Sequence, residues 1–247
     1  MKTFIDQMNR EVILKGKPKT IISLVPSQTE LLYSLGLEKE TIAITKFCVH
    51  PKEWRKHKQT IGGTKKLNLD EISKLNPDLI IGNKEENNKQ DIEWLSKNHS
   101  VWMSDIYNIQ DSLKMIECIG DICDKEKEAQ QIINSIKKEL GELDHSSKSP
   151  IKKALYVIWD NPTMVAGKKT YIDSIISLIN IQNACDTNRY PNLNDVEIEK
   201  PDYILLSSEP YPFKNKHLEK YKNNFPDSKV ILVDGEMFSW YGSRIIK

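Results

Sequence analysis

Apolar runs of strand length recur along the chain, at 20–25, 41–45, 78–81, 100–103, 154–159, 203–206 and 229–233. Most are continuous rather than alternating, the pattern of parallel strands covered on both faces. Segments with helical spacing separate them. The β-α-β-α order predicts an α/β fold with mostly parallel sheets.

The first such unit is the clearest. The run at 21–25 leads into Pro26-Ser27-Gln28-Thr29-Glu30. Ser27 and Glu30 have the S-x-x-E spacing of a capping box, which satisfies free backbone N–H groups at a helix start. Leu31, Leu32 and Leu35 supply an apolar face, and Gly36 is expected to end the helix. This turn follows the carboxyl end of a strand, where open α/β sheets bind ligands.

Residues 125–143 read as one long charged helix. Ile132, Ile133, Ile136, Leu140 and Leu143 form a stripe at helical spacing. Residues 144–150, Asp-His-Ser-Ser-Lys-Ser-Pro, read as a turn or linker. The expected division is an N-terminal α/β lobe (1–120), a connecting helix and linker (121–149) and a C-terminal α/β lobe (150–247). An internal echo supports two similar lobes. Residues 69–82 and 195–207 each read as a short acidic helix, then Pro-Asp, then a buried strand, with Pro77 and Pro201 setting the chain extended.

Composition narrows the classes. Among 247 residues, 36 Lys+Arg face 35 Asp+Glu, for a net charge of +1. That balance disfavours nucleic-acid binding through a strongly basic face. No run approaches the ~20 apolar residues of a membrane span. The four cysteines are scattered and predict free, mostly buried thiols. Lys2, Asp6 and Arg10 break up the first ten residues before any secretory signal can form. With Met1 as the native start, the expectation is a cytoplasmic protein. With a start upstream, it is a periplasmic or surface-attached one.

The chemistry is sparse. The chain has no G-x-G-x-x-G, P-loop, G-x-S-x-G or H-E-x-x-H pattern, so no catalytic residue is assigned and no enzyme is expected. Gly62-Gly63-Thr64-Lys65 is either a loop shaping backbone near a ligand or only a turn. The five histidines show no metal-ligand spacing. His50 follows the strand at 41–45. It either caps a pocket or gives an axial ligand to the metal of a bound chelate, or it is a loop histidine bonded to backbone. Aromatic residues gather at predicted strand ends: Trp159, Tyr190, Tyr211, Phe213, Phe238, Trp240 and Tyr241. Such residues either wall a site for a flat or apolar ligand or pack an interface.

These residues resemble a known family. The stretch Ile-Ile-Ser-Leu-Val-Pro-Ser-Gln-Thr-Glu-Leu at 21–31 resembles the opening of the helical-backbone (class III) substrate-binding proteins of ABC importers, the cobalamin binders most closely. The Pro-Asp segments, Met164-Val165-Ala166-Gly167-Lys168 and the stretch at 238–246 are similar to later parts of that family. The resemblance implies two small α/β lobes joined by a long helix, with a ligand in the cleft between them. The first lobe would offer Pro26, Ser27, Gln28, Phe47, His50, Thr64 and Lys65. The second would offer Trp159, Asn161, Arg189, Tyr190, Tyr211, Trp240 and Tyr241. The ligand implied is a metal chelate, a cobalamin-like corrinoid or an iron-siderophore or haem, bound by a monomer with no intrinsic cofactor.

An ABC permease is the implied partner, docked through one acidic residue on each lobe. Glu85 or Glu86 and Glu197 or Glu199 are the candidates, although Lys89 takes the first-lobe position in an ungapped alignment. The resemblance also implies a terminal helix running past Lys247. The alternative reading is a cytoplasmic cofactor carrier, sensor or scaffold with the same fold and no permease docking.

Overall fold

The computed structural model describes residues 1–143 and 150–246. The turn expected at 144–149 lies outside them. The chain forms two compact units. One comprises Met1–Asp105, Gln110–Lys137 and Tyr241–Lys247; the other comprises Ile106–Ile109 and Lys138–Trp240.

In the first unit, β1 (Lys2–Ile5) and β2 (Glu11–Leu14) make an antiparallel hairpin that the apolar runs did not reveal. There follow β3 (Ile21–Ser23), α1 (Pro26–Ser34), β4 (Thr41–Ile44), α2 (Lys52–His57) and β5 (Gln59–Thr60). Next come the two-residue strands β6 (Gly62–Gly63) and β7 (Lys66–Leu67), then α3 (Leu69–Leu75), β8 (Leu79–Asn83), α4 (Lys89–Leu95) and β9 (Val101–Ser104). Helices α5 (Ile109–Ile122) and α6 (Glu126–Gly141) complete the series. The main sheet is parallel, in the order β5-β4-β3-β8-β9. All five residues of β8 are buried, which explains its unbroken apolar run.

The hairpin covers the edge at β9. The buried Asp6 carboxylate accepts N–H bonds from Met8, Arg10 and Met103. It also takes the Arg10 guanidinium at 2.7 Å. Lys2, Asp6 and Arg10, the charges that broke up a signal sequence, thus belong to a folded element.

Helix α1 starts differently from the expectation. Its N-cap is Val25, with no side-chain cap, and Pro26 takes the first helical position. Proline has no N–H to leave unpaired there. Ser27 therefore lies inside the helix, and no capping box forms. Glu30 instead meets Arg244 at 2.9 Å, with the Glu30 side chain 1% and the Arg244 side chain 12% exposed. That contact and the turn Ser243–Ile246 tie the C-terminal segment to α1, so Tyr241–Lys247 group with the first unit rather than with the C-terminal lobe. Gly36 ends α1 as expected. Its φ of 72° closes a Schellman motif, with Gly36 N–H on Tyr33 and Leu37 N–H on Leu32.

The second unit holds β10 (Lys152–Asp160), β11 (Thr163–Ala166), α7 (Tyr171–Leu178), β12 (Ile181–Asn183), β13 (Tyr203–Ser207), α8 (Asn215–Asn224), β14 (Lys229–Val233) and α9 (Gly235–Ser239). Strands β10, β12, β13 and β14 pair in parallel, and β11 is antiparallel to β10. Leu155, Val157, Ile204 and Leu206 enter one core cluster, while Ala154, Tyr156 and Leu205 enter another. Alternate side chains thus reach opposite faces, both covered. The fold is α/β with mostly parallel sheets, as the run lengths predicted. The stripe Ile132, Ile133 and Ile136 is the buried face of α6, and the division between the units falls within this helix.

The Pro-Asp echo is a repeated device. Asp78 accepts backbone N–H bonds from Lys19 (2.8 Å) and Thr20 (3.0 Å), just before β3. Asp202 accepts from Lys153 N–H (2.9 Å) and pairs with Lys152 (2.8 Å), at the start of β10. Each aspartate latches the start of the neighbouring parallel strand. The acidic helix does not repeat. It is α3 before Pro77, but residues 197–200 before Pro201 have no regular structure.

Candidate ligand-binding surfaces

In the first unit the candidates come from loops at the carboxyl ends of β3, β4 and β8 and from the β6-β7 hairpin. Gly62 has a φ of 93°, and a Cβ there would lie 2.6 Å from the Lys66 carbonyl oxygen. Glycine therefore permits the tight hairpin whose turn is Thr64-Lys65. The Gly-rich segment is thus a hairpin turn with Lys65 exposed at its tip. Thr64 is buried, and its carbonyl accepts from the Asn87 amide at 3.1 Å. The Lys65 ammonium donates to the Glu85 carbonyl. Phe47 is 51% exposed, with the Lys46 ammonium 5.0 Å from its ring. His50 and Pro26 are half-buried.

Ser27 and Gln28 are interior. Gln28 has no exposed surface, and its amide donates to the Gly82 carbonyl (3.0 Å) and Ser104 Oγ (2.6 Å). Gln28 holds β8 and β9 to α1 and does not face solvent. Beside it, Thr29 Oγ1 donates to the Val25 carbonyl at 2.9 Å and contacts Ser23 Oγ (2.8 Å) and Cys48 Sγ (3.0 Å). Burial pushes the Cys48 thiol pKa up, against hydrogen bonds from Thr29 and Thr45.

In the second unit, Trp159 is the penultimate residue of β10 and is 39% exposed. Its indole N–H donates to the Asn161 carbonyl at 3.2 Å. The Tyr211 ring lies 5.4 Å from it, edge to face, and Phe213 lies 4.7 Å from Tyr211. The structure thus brings Trp159, Asn161 and Tyr211 together. Asp160 sits beneath, taking the Lys220 ammonium at 2.6 Å and the Tyr221 hydroxyl at 2.9 Å. Desolvation would raise its carboxyl pKa, but those two bonds outweigh it and hold the pKa down.

Arg189 and Tyr190 form a separate group. The guanidinium lies 5.3 Å from the Tyr107 ring and 5.5 Å from the Tyr190 ring. Trp240 and Tyr241 are both buried, at 7% exposure. The expected wall at 237–242 is a short helix, α9, and its exit. Phe238 packs against Tyr156 at 5.1 Å, and Met237 is the exposed member.

The acidic candidates divide. Glu197 is exposed, whereas the Glu199 carboxylate pairs with Lys153. Glu85 and Glu86 follow β8, both with N–H groups on Asn83 Oδ1. Dense surrounding protein raises the Glu86 carboxyl pKa, partly offset by Lys65. Lys89 opens α4 and pairs with Glu93 at 3.7 Å. Among the described residues no group of three or more His, Cys, Asp or Glu is placed to hold a metal, and no helix is long and apolar enough to cross a membrane. Cys48, Cys118, Cys123 and Cys185 are free thiols, three of them buried.

Sequence reasoning missed Asp160, His217, Asn83 and Asn87. Asp160, Asn83 and Asn87 have partners 21 to 61 residues away, and His217 bonds locally but through a loop conformation that no sequence period marks.

Residues 21–226 match the periplasmic binding protein family. The chain belongs to that family. It is 28% identical to an uncharacterised ABC transporter substrate-binding lipoprotein, YvrC, of Bacillus subtilis, over 99% of this chain and 82% of that one. It is 24% identical to the vitamin B12-binding protein of Pectobacterium carotovorum, over 93% of this chain and 85% of that one. A crystal structure of a possible iron-binding, periplasmic solute-binding protein from Staphylococcus epidermidis superposes with a TM-score of 0.76 at 24% identity. It covers 94% of this chain and 95% of that one. The family resemblance and the fold read from the sequence both hold. The cytoplasmic expectation has no support among these relatives, one of which is a lipoprotein.

Proposed function

We propose that this binding-protein family member captures a metal chelate, a corrinoid or a ferric siderophore or haem, outside the cytoplasmic membrane and delivers it to an ABC permease. The observation that carries the reading is the Trp159-Tyr211 pair. It is an aromatic surface left open at the carboxyl end of a parallel sheet, where α/β proteins take ligands. Phe47 offers a further exposed ring after β4. Relatives named for vitamin B12 and for iron support the chelate class. Taking each unit by itself, we assign ligand contact to Pro26, Phe47, His50 and Lys65 in the first and to Trp159, Asn161, Arg189, Tyr190 and Tyr211 in the second. Ser27, Gln28, Thr64, Trp240 and Tyr241 are buried and are assigned a supporting role. His50 is the candidate to reach the chelate's metal. Glu86 and Glu197 are the candidates for permease docking.

The test is a titration of the purified protein with cyanocobalamin, haemin and a ferric catecholate siderophore, followed by tryptophan fluorescence. One class is expected to quench Trp159 saturably. Absence of quenching by all three overturns the reading.

A further inference from the structure

We propose that His217 is a positioning residue for the aromatic surface of the second unit, its neutral imidazole fixing Tyr211 against Trp159. The consequence for binding rests on the function proposed above; the positioning itself does not.

His217 is the third residue of α8. The Lys214 N–H donates to its Nδ1 at 2.8 Å. A ring nitrogen that accepts a hydrogen bond carries no proton, so the imidazole is neutral with its proton on Nε2. Nε2 lies 3.4 Å from the Tyr211 hydroxyl, and the two rings are 5.5 Å apart. Phe213 closes the other side, 5.4 Å from the imidazole and 4.7 Å from Tyr211. Tyr211 in turn meets Trp159 edge to face. A continuous set of contacts therefore runs from the cap of α8 to the exposed indole.

The imidazole is packed against the Tyr211 phenol, the Phe213 ring and the Lys214 backbone, with the Asp160 carboxylate of β10 and its partners Lys220 and Tyr221 close by. Lys216 and Glu219 are the other charged residues of its stretch of α8. The bond to Nδ1 sets the sign of the pH response. Asp160 is already engaged by Lys220 and Tyr221. Protonation places a second proton on Nδ1 and turns the acceptor into a donor. It breaks the bond from Lys214 and frees the ring, and Tyr211 with it. Acid therefore loosens this surface.

The experiment follows Trp159 fluorescence in the full chain, without ligand, between about pH 5 and 8. H217Q is the informative variant, because glutamine at this position also completes a capping box and keeps α8 capped. A pH-dependent change is expected in the wild type and is expected to vanish in H217Q and in W159F. Persistence of the change in H217Q overturns the proposal. If H217Q lowers the melting temperature, an NMR titration of the wild type replaces it. The Lys214 amide must then shift together with the His217 ring, and independent titration overturns the proposal.

With whichever of cyanocobalamin, haemin or ferric catecholate quenches, H217Q and Y211F are each expected to weaken binding about three- to ten-fold, the worth of a lost ring contact in the first and of a lost hydrogen bond in the second. The double variant is expected to be no weaker than the worse single one. Multiplying effects overturn the proposal. If the pH change behaves as expected and no chelate quenches, the positioning role stands and the binding function is what fails.

Discussion

The strand-end loops of the two units are held by different forces. In the first unit, Gln28, Thr29, Thr45, Asn83 and Asn87 are buried polar side chains that bond to backbone or to the Cys48 and Ser104 side chains. In the second, Trp159, Tyr211, Phe213 and His217 are rings in tilted or edge-to-face contact, with Trp159 open to solvent. A buried hydrogen bond is costly to leave unmade, so the first arrangement resists change. Ring contacts are less directional, and an exposed indole contributes little to folding. Substitutions in the first unit should act on stability, and those in the second on affinity.

The largest expected effect tests the first half of that contrast. Arg244→Ala removes the cation that faces the buried Glu30 carboxylate and should cost about 3–5 kcal/mol in a denaturant melt. A cost under 1 kcal/mol would show that the C-terminal segment does not fasten α1. Trp159→Ala tests the second half. Its affinity loss for the quenching chelate should reach about 2 kcal/mol, roughly thirty-fold, as for a central aromatic contact. Its melting curve should stay near wild type; a large stability loss with intact affinity would reverse the comparison.

Thr29→Val keeps shape but removes the hydroxyl shared with Ser23, Val25 and Cys48. It should cost about 1–2 kcal/mol by thermal unfolding, with chelate affinity unchanged. The smallest effect compares the two Pro-Asp latches. Desolvation would raise the Asp78 carboxyl pKa, but the bonds from Lys19 and Thr20 outweigh it and hold the pKa low. Its stabilisation is therefore present above the unfolded-state value of about 3.9 and lost as pH falls through the folded-state value. Asp78→Asn should cost about 1 kcal/mol at pH 7, a modest figure for an exposed carboxylate, and nothing measurable near pH 2. Asp202, held low by Lys152 and Lys153, should show the same trend with smaller amplitude. A pH-independent loss in either variant would mean that the latch works through packing.

Much of the fold was legible because strand and helix periodicity is local. Continuous apolar runs marked seven parallel strands, β3, β4, β8, β9, β10, β13 and β14, and Gly36 marked the end of α1. The hairpin β1-β2, the short β11 and β12 and the two-residue strands were not legible, since so few residues carry no period. The capping box misled because Pro26 had a stronger claim on the first helical position than Ser27 had on the cap. For the site, the strand ends and the aromatic character of Trp159 and Tyr211 were accessible from the sequence, whereas their edge-to-face pairing across 52 residues was not. The burial of Gln28, Trp240 and Tyr241 was not, because side-chain type does not say which way a loop turns.

The sequence by itself determined the class of fold, the lack of a catalytic motif and the family, since each depends on patterns a few residues long. Tertiary structure decided which candidates reach solvent and which hold the loops in place. Gln28 finds Gly82, Ser112 takes the Gly242 N–H, and Glu30 finds Arg244. Those partners lie tens to hundreds of residues apart, and only the folded chain brings them within bonding distance.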